Sequence, residues 1–275
     1  MSFPPSRTES PAERRRRLGR VPADPKTIHF IAVCGTGMGS LACMLARAGY
    51  TVTGSDQAVY PPMSTQLARC GIRLMQGYHA ANLDGRPDLA VVGNALSRGN
   101  PEIEALLDRG IPYVSMPEAL ARLFLRGKHP LVVVGTHGKT TTTALAASVL
   151  LHAGRDPSLL VGGVARDFGG GFRTGGGDVF VIEGDEYDTA FFDKEPKFLH
   201  YAPRTAILTS VEFDHADIYR DLDHVIAAFR RFVAIIPDDG LLAVCGDDPR
   251  ALGVAREARC RTVIYGLGDD ATLRG

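Results

Sequence analysis

The sequence predicts an α/β protein with two parallel-sheet units in succession. Short apolar runs alternate with helical stretches along most of the chain, which is the pattern of a doubly wound parallel sheet. Two of these runs, at 28–34 and 131–134, lead directly into glycine-rich turns, as strands do at the ligand-binding edge of such sheets. The length of 275 residues also exceeds what one hydrophobic core usually needs.

The first unit is predicted over residues 26–126. Ile28–Cys34 is a nearly continuous apolar run, as expected of a strand buried on both faces, and it precedes a helical pattern at Leu41–Ala48. Asn100 caps a helix whose first position is a proline. The further elements are strands at 50–53, 89–93 and 112–115 and helices at 101–110 and 117–125. This alternation predicts a Rossmann-like doubly wound domain.

The second unit is predicted over 127–275 as a P-loop ATPase-type α/β domain. Its apolar runs lie at 131–134, 178–183, 205–209, 241–245 and 262–265, with helices at 139–153 and 221–236. The stretch Asp167–Gly177 contains six glycines, and we expect a flexible surface loop there. The pattern stops at 269–275 without a closing helix, so we expect this domain to be incomplete.

Residues 1–25 contain several prolines, the run Arg14–Arg17 and almost no apolar periodicity. This composition predicts a disordered extension, with a basic docking tail as the alternative. Neither interpretation gives these residues a place in a folded domain.

The bulk composition is that of an ordinary globular protein, with 45% hydrophobic and 23% charged residues. A formal net charge of zero gives no reason to expect a nucleic-acid partner or an acidic membrane surface, and no apolar run reaches transmembrane length. Nothing in the sequence specifies an oligomeric state. Five cysteines occur without a CxxC pair, so we expect reduced, buried thiols and a cytoplasmic location.

The run Gly135–Thr141 has the composition of a phosphate-binding loop between a strand and a helix. Glycines let backbone N–H groups approach phosphate oxygens, and the N-terminus of the following helix adds its dipole. Lys139 would place a positive charge on the outer phosphates of ATP, and the hydroxyl of Thr140 or Thr141 would ligate magnesium. Val133 stands where the usual pattern has its first glycine, so the loop is a compact variant. The candidate ATP-binding residues are Gly135, Thr136, His137, Gly138, Lys139, Thr140 and Thr141.

A second glycine-rich turn follows the first predicted strand. It consists of Gly35, Thr36, Gly37, Met38 and Gly39, and Asp56 stands where a dinucleotide-binding fold has its ribose-binding acid. Ser40 replaces the third glycine or alanine of that fingerprint, so NAD is not implied. We expect the turn to hold the phosphate or diphosphate of a nucleotide. A tight turn whose glycines serve only packing is the alternative.

Acidic residues and a histidine follow two predicted strands of the second unit. Glu183 ends one strand and Glu186 lies just beyond it, while His215 follows another. The carboxyl ends of parallel strands face the ligand, and oxygen ligands suit Mg²⁺. We therefore predict that these acids hold magnesium together with Thr140 or Thr141, with Glu183 preferred over Glu186 because it leaves the strand directly. His215 is a candidate ligand of a second metal. A solvated acidic turn and a structural histidine are the alternatives.

Together these residues resemble the Mur ligases, the ATP-dependent amide-forming enzymes of peptidoglycan synthesis. The run Gly135–Thr141 is similar to the compact phosphate loop of that family, Glu183 matches its magnesium-binding glutamate and His215 its metal-binding histidine. The resemblance extends over about 27–270. It implies that the enzyme uses ATP and Mg²⁺ and that Lys139, Glu183 and His215 are catalytic. It further implies that Thr140, Glu183 and His215 are the metal ligands. It also implies that the first glycine-rich turn and its acid bind a UDP-sugar.

Within the family, four stretches resemble the branch that joins L-Ala-γ-D-Glu-meso-diaminopimelate to UDP-N-acetylmuramate in cell-wall recycling. These stretches are Cys34–Gly39, Val59–Ser64, Asp185–Lys194 and Glu212–Asp217, and the last two are the long and specific ones. The branch that adds L-alanine to the same sugar nucleotide usually has Glu-Ser-Asp-Ala-Ser-Phe where this chain has Glu186–Phe191, and it is the alternative. The implied partners are UDP-N-acetylmuramate and the murein tripeptide, joined through an acyl phosphate.

The sequence departs from the family pattern in two respects. No lysine follows Lys197, so the carbamylated lysine of some Mur ligases is absent, as in the branches that use UDP-N-acetylmuramate. The family's Gly-x-His-Asn-x-x-Asn segment and third domain do not occur either, so we expect a fragment that is inactive alone. Of the other classes, an NAD-dependent oxidoreductase leaves the loop at 135–141 unexplained. A non-catalytic nucleotide-binding module is favoured only by the shortness of the chain.

Overall fold

The computed structural model describes residues 9–214 and 218–275, which divide into two compact units. Unit 1 comprises the chain up to Leu120 together with Asp188–Glu195, and unit 2 comprises Ala121–Tyr187 and Pro196–Gly275. The segment Asp188–Glu195 therefore folds with unit 1, although the sequences on both sides of it belong to unit 2.

Unit 1 is a five-stranded parallel sheet with helices. Its elements are α1 (Pro11–Leu18), β1 (Thr27–Ile31), α2 (Thr36–Arg47), β2 (Thr51–Asp56), α3 (Met63–Arg69), β3 (Arg73–Gln76), β4 (Leu89–Val92), α4 (Pro101–Asp108), β5 (Tyr113–Ser115) and α5 (Met116–Leu120), with a 3₁₀ turn at Ala80–Leu83. The strand order β3-β2-β1-β4-β5, with every pairing parallel, confirms the predicted Rossmann-like fold. The apolar strands β1 and β4 lie side by side within this sheet and supply its buried centre.

The first strand and helix have other boundaries than the sequence predicted. β1 ends at Ile31 because Ala32 takes a left-handed conformation with a φ of 69°, which turns the chain out of the strand. α2 begins at Thr36, inside the glycine-rich turn, rather than at Leu41. Asn100 caps α4 as predicted, and its side chain accepts two N–H groups of the first turn.

Unit 2 is built on an eight-stranded mixed sheet. Its elements are β6 (His129–Val134), α6 (Lys139–His152), β7 (Ser158–Ala165), β8 (Gly170–Arg173), β9 (Val179–Glu183), β12 (Thr205–Leu208), α7 (Leu222–Ala234), β13 (Leu241–Cys245), α8 (Pro249–Ala255), β14 (Arg261–Gly266) and β15 (Leu273–Arg274). The two strands numbered between β9 and β12, β10 (Asp188–Ala190) and β11 (Asp193–Pro196), form a separate two-stranded sheet, which belongs to unit 1 as far as Glu195. The order of the large sheet is β15-β14-β13-β12-β6-β9-β7-β8. β6 lies between β12 and β9 and is parallel to both. The carboxyl ends of the three strands that carry candidate residues therefore meet at one edge.

The prediction of a flexible loop at Asp167–Gly177 is wrong for Gly170–Arg173. Part of this stretch forms β8, which pairs antiparallel with β7. The Arg173 guanidinium at the end of β8 forms an ion pair with Asp156. Gly177 lies where an added Cβ would come within 1.9 Å of the Arg155 carbonyl oxygen, so close packing requires this glycine. The glycines hide the strand from sequence reasoning because glycine has a low strand propensity.

The prediction of a disordered extension is wrong for residues 9–25, while residues 1–8 lie outside the described part of the chain. The helix α1 is capped by Ser10, which forms a capping box with Glu13. The Arg17 guanidinium is buried and forms an ion pair with Glu118 of α5. The arginine run is therefore not simply a basic docking tail, because one of its members is part of the packed structure of unit 1.

The prediction of reduced thiols is wrong for two of the five cysteines. Cys43 on α2 and Cys70 at the end of α3 form a disulfide, with their Cα atoms 5.4 Å apart. The packing of α2 against α3 brings these residues together across 27 positions of sequence, a separation that carries no local signal. Cys34, Cys245 and Cys260 are free thiols.

The amphipathic helix of unit 2 has the predicted apolar face. α7 buries Val225, Phe229, Phe232 and Val233 along one side. Among the helices of the described residues, none combines the length and the apolar character that a membrane crossing requires.

Candidate functional site

The loop that joins β6 to α6 has a backbone conformation that favours glycine at two positions. Gly135 has a φ of 136° and Gly138 a φ of 78°, both in the left-handed region. Gly138 is the N-cap of α6, so the loop leads directly into a helix of 14 residues. The unpaired N–H groups and the dipole at such a helix N-terminus attract an anion, which supports the predicted phosphate site.

Hydrogen bonds from the segment after β12 hold this loop in place. The Glu212 N–H donates to the Thr136 hydroxyl at 2.8 Å. The Thr209 hydroxyl donates to the His137 carbonyl at 2.6 Å. The loop is thus tied to the chain that continues to His215, the predicted histidine ligand. His215 itself lies outside the described residues, so its place relative to the loop stays a prediction.

Lys139 is the first residue of α6, and its side chain folds back over the loop. Its ammonium group donates to the carbonyls of Gly135 and Thr136 at 2.7 and 3.0 Å and to the Glu186 carboxylate at 3.0 Å. The side chain of Lys139 is 13% exposed and that of Glu186 is 4% exposed. Burial raises the pKa of the Glu186 carboxyl, while the charge of Lys139 acts in the opposite direction. The structure thus holds a positive charge at the position where the outer phosphates of a nucleotide bind in loops of this kind.

Glu183 lies at the end of β9 and contacts the first turn of α6. One carboxylate oxygen accepts the Thr140 hydroxyl at 2.9 Å, and the other accepts the Gly162 N–H at 2.8 Å. A hydroxyl and a carboxylate thus touch beside the loop, and both are ligands that suit Mg²⁺. Thr141, the alternative hydroxyl, is exposed. The geometry favours Thr140 and Glu183 as the metal pair, an assignment that stays a prediction.

Sequence reasoning missed the residues that fix these acids. Gly162 on β7 binds the Glu183 carboxylate through its N–H, and the Tyr219 hydroxyl donates to the Glu186 carbonyl at 2.9 Å. The pair Gly162–Gly163 inside an apolar run was a usable signal, because glycine within a strand often marks a close approach. Tyr219 belongs to no motif and gave no signal.

The glycine-rich turn of unit 1 opens α2, as nucleotide-binding turns do. Gly35 is the N-cap of this helix of 12 residues, and Gly35 and Thr36 are exposed. Met38 and Gly39 are buried. An added Cβ at Gly39 would lie 2.3 Å from Met63 Cε on α3. The turn therefore has both an exposed helix N-terminus for an anion and a packing reason for its last glycine.

Asp56 at the end of β2 binds the backbone just before that turn. Its carboxylate accepts the N–H of Cys34 at 2.8 Å and the N–H of Ala58 at 3.2 Å. Burial, together with the charge of Asp56, raises the pKa of the Cys34 thiol to about 11, so this thiol is protonated at neutral pH. A carboxylate oxygen has more than one acceptor position, so a ribose contact from Asp56 is compatible with these bonds and stays a prediction.

Replacing Gly135 with alanine should disrupt the phosphate loop. The added Cβ would lie 2.1 Å from the Thr209 hydroxyl oxygen and 2.8 Å from the Ser210 nitrogen, in a backbone region that alanine disfavours. We expect ADP affinity, measured by calorimetry, to fall by about tenfold or more, because the loop must move away from Thr209 and Ser210 to admit the added Cβ.

Gly154→Ala is the matched control for this prediction. Gly154 follows α6 with a φ of 73°, but no atom lies within 4 Å of its added Cβ. This variant should lose about 1 kcal/mol of stability from backbone strain and retain its ADP affinity. Wild-type ADP affinity in Gly135→Ala would contradict the prediction.

The comparisons with known proteins cover both units. Residues 27–128 match the family described as Mur ligase family, catalytic domain, and residues 133–275 match Mur ligase middle domain. The chain is 51% identical over 213 residues to UDP-N-acetylmuramate–L-alanyl-γ-D-glutamyl-meso-2,6-diaminoheptandioate ligase of Escherichia coli strain K12, which covers 78% of this chain and 47% of that protein. It is 39% identical over 240 residues to UDP-N-acetylmuramate–L-alanine ligase of Rubrobacter xylanophilus, covering 87% of this chain and 52% of that protein. The chain thus spans about half the length of the curated relatives it matches.

Solved structures give the same two groups of relatives. The crystal structure of UDP-N-acetylmuramate:L-alanyl-γ-D-glutamyl-meso-diaminopimelate ligase from Neisseria meningitides superposes with a TM-score of 0.83 at 42% identity, covering 88% of this chain and 78% of that one. UDP-N-acetylmuramate-alanine ligase from Thermotoga maritima superposes with a TM-score of 0.72 at 26% identity, covering 88% of this chain and 53% of that one.

Proposed function

We propose, from the premise that this chain belongs to the Mur ligase family, that it is part of an ATP-dependent ligase that joins a murein tripeptide to UDP-N-acetylmuramate. The observation that carries the proposal is the arrangement of Lys139, Thr140 and Glu183 around the start of one helix. This arrangement supplies a positive charge and two oxygen ligands beside a phosphate loop, which is what phosphoryl transfer from ATP needs. The reaction would take place in the cytoplasm, where ATP is available.

Unit 2 would bind ATP. The N–H groups at the start of α6 would hold its phosphates, and Lys139 would offset the charge of the outer ones. A magnesium ion would be held by the Thr140 hydroxyl and Glu183, with His215 as a further predicted ligand. When bound, the ion would neutralise phosphate charge, and the oxygen atoms on this edge of the sheet fit it.

Unit 1 would bind the UDP part of UDP-N-acetylmuramate. The exposed N-terminus of α2 at Gly35 and Thr36 is suited to a diphosphate. Asp56, which already orders this turn, would contact the ribose. We keep these contacts, and the assignment of UDP to this unit, as proposals.

The chemistry would proceed by activation of the sugar's carboxylate. A carboxylate oxygen attacks the γ-phosphorus of ATP, ADP leaves, and an acyl phosphate forms. The peptide amine then attacks the acyl carbon, phosphate leaves and the nitrogen loses a proton. The carboxylate and the triphosphate repel each other because both are negatively charged. The ammonium group of Lys139 would reduce this repulsion and stabilise the transition state.

We propose the tripeptide rather than L-alanine as the amine substrate because this chain is more similar to tripeptide ligases than to L-alanine ligases. Two curated tripeptide ligases are 51% and 48% identical to this chain, whereas the L-alanine ligase of Rubrobacter xylanophilus is 39% identical. The TM-scores follow the same order, 0.83 against 0.72.

The amine preference can be measured with the product of the complete open reading frame. Given ATP, magnesium and UDP-N-acetylmuramate, it should release phosphate with the tripeptide at a kcat/KM about a hundredfold or more above that with L-alanine, since a site built for a larger, charged ligand rejects a fragment of it. A preference for L-alanine would replace the tripeptide assignment with the alternative branch. Release of phosphate with neither amine would favour the non-catalytic module. Calorimetry with NAD tests the oxidoreductase alternative, and we expect no specific binding.

A further inference from the structure

The ammonium group of Lys139 has a hydrogen-bond acceptor within unit 2 for each of its donors. An ammonium group has three N–H donors. The three acceptors are the carbonyl oxygens of Gly135 and Thr136 and the carboxylate of Glu186, all within 3.0 Å. A phosphate oxygen that binds this lysine must therefore take the place of one of these acceptors.

Glu186 is the acceptor that can be exchanged. The two carbonyls belong to the loop itself, whose backbone is tied to the segment after β12 by the Glu212 N–H and the Thr209 hydroxyl. Glu186 reaches the lysine from outside the loop, with a side chain that can rotate. It is also the only one of the three acceptors that carries a negative charge, as a phosphate does.

We propose that Glu186 is the counter-ion of Lys139 in the resting enzyme and that a nucleotide phosphate replaces it on binding. Glu186 is thus a positioning residue that keeps the buried ammonium group neutralised and aimed into the loop. The inference rests on the proposed function, because it assumes that the loop at 135–141 binds a nucleotide.

The position of Glu186 is built into unit 2. Its backbone carbonyl accepts the hydroxyl of Tyr219, which is itself 5% exposed. The preceding residue, Asp185, forms an ion pair with Lys197 at 2.6 Å. The Tyr219 contact therefore fixes the backbone of the residue whose carboxylate meets Lys139, whereas the partly exposed Asp185 carboxylate has its own cation.

Glu183 and Glu186 have separate partners although they lie three positions apart. Glu183 contacts Thr140 and Gly162, on the side where the metal is predicted. Glu186 contacts the ammonium group of Lys139. The geometry thus separates the two acids of this segment into a metal-side residue and a lysine-side residue.

If the nucleotide phosphate replaces Glu186, weakening the ion pair between Glu186 and Lys139 should strengthen nucleotide binding. Glu186→Gln keeps the size of the side chain but removes its charge, which leaves the buried ammonium group with neutral acceptors in the empty enzyme. A phosphate then restores the missing negative charge. The empty variant should therefore be less stable than the wild type and should gain more from nucleotide binding.

Calorimetry and thermal unfolding of the 275-residue chain with Mg²⁺ and ADP or ATP measure both effects. We expect the nucleotide Kd of Glu186→Gln to fall by about fivefold, as the loss of a competing charge partner predicts. The melting temperature of the empty variant should fall, and its rise on adding nucleotide should be larger than in the wild type. If Glu186 served folding alone, Glu186→Gln would have a lower melting temperature but an unchanged nucleotide Kd.

Asp185→Asn is the matched control. It also removes one carboxylate charge, one position before Glu186, but the Asp185 carboxylate pairs with Lys197 and not with Lys139. Its nucleotide Kd should change by less than about twofold. Tyr219→Phe provides a second test that does not depend on the folding of Glu186→Gln. It frees the Glu186 backbone but keeps the carboxylate, and its nucleotide Kd should fall by about twofold.

An unchanged or raised Kd in both Glu186→Gln and Tyr219→Phe, with normal binding by the wild type, would overturn the inference and leave the proposed nucleotide site intact. Absence of nucleotide binding by the wild type and by every variant would overturn both. The two failures are therefore distinguishable.

Discussion

Replacing Lys139 with methionine should lower the ligase kcat of the complete gene product by about a thousandfold. Methionine keeps the length of the side chain but removes the ammonium group that lies 3.0 Å or less from two loop carbonyls and Glu186. The loss of one preorganised charge at a phosphoryl-transfer site has an effect of this size. The measurement is phosphate release with ATP, UDP-N-acetylmuramate and the tripeptide.

The double variant Lys139→Met/Glu186→Gln separates chemistry from stability. In the single variant, the buried Glu186 carboxylate loses its counter-ion, which should cost about 3 kcal/mol of folding free energy. Removing both charges should restore much of that stability while turnover stays about a thousandfold low. Recovery of turnover in the double variant would show that Lys139 is needed for folding rather than for phosphate transfer.

Lys128→Met is the matched control for the lysine itself. The Lys128 ammonium group lies before β6 and donates to the Gly177 carbonyl, away from the phosphate loop. Its replacement should change kcat by less than about twofold. A kcat above about a tenth of the wild-type value in Lys139→Met would contradict the assigned role, given the size of effect expected for a phosphate-binding lysine.

The strand, glycine-containing loop and helix at 129–152 were predictable from the sequence because the residues that form them are neighbours in the chain. An apolar strand, two glycines and a lysine lie within a dozen positions, and the backbone of 129–141 follows from them. Glu183 is far from Thr140 in sequence. It was still predictable as a neighbour, because both follow adjacent parallel strands whose carboxyl ends meet. His215 was predicted by the same argument and lies outside the described residues.

The contacts beyond the strand ends were not predictable. Glu186 meets Lys139 because of a turn after β9, and no periodicity specifies where a turn places a side chain. The grouping of Asp188–Glu195 with unit 1 was not predictable either, because it also depends on the path of the chain after β9. Phe191 and Phe192 of this segment pack into a core cluster with residues of the first sheet, such as Val92. The hydrophobicity of the two phenylalanines indicates burial, but not which of two cores receives them.

The arginine run was misread because its environment depends on residues far along the chain. Arg17 is one of four consecutive arginines, a composition that is typical of solvated segments. Its guanidinium instead donates to Glu118, to Glu9 and to the Tyr113 carbonyl. It also lies 4.3 Å from the centre of the Phe192 ring. Composition predicts average exposure, and cannot identify the one arginine whose planar group meets a buried carboxylate.

Replacing Arg17 with alanine should destabilise unit 1 by about 3 kcal/mol. The side chains of Arg17 and Glu118 are 6% and 4% exposed, so the variant leaves a buried carboxylate without its main counter-ion. Arg14 still reaches that carboxylate at 3.0 Å, which places the loss near the lower end of the usual range for a broken buried pair. The variant also removes the guanidinium from the face of the Phe192 ring.

Thermal unfolding followed by circular dichroism measures this loss, and the first transition should move down by about 10 °C. Arg16→Ala is the matched control, because Arg16 is exposed on the same helix, and its replacement should change stability by less than about 0.5 kcal/mol. Arg17→Lys should fall between the two, since an ammonium group cannot bind Glu9, Glu118 and the Tyr113 carbonyl in the planar arrangement of a guanidinium. Equal stability of Arg17→Ala and Arg16→Ala would show that α1 is not packed against unit 1 in solution.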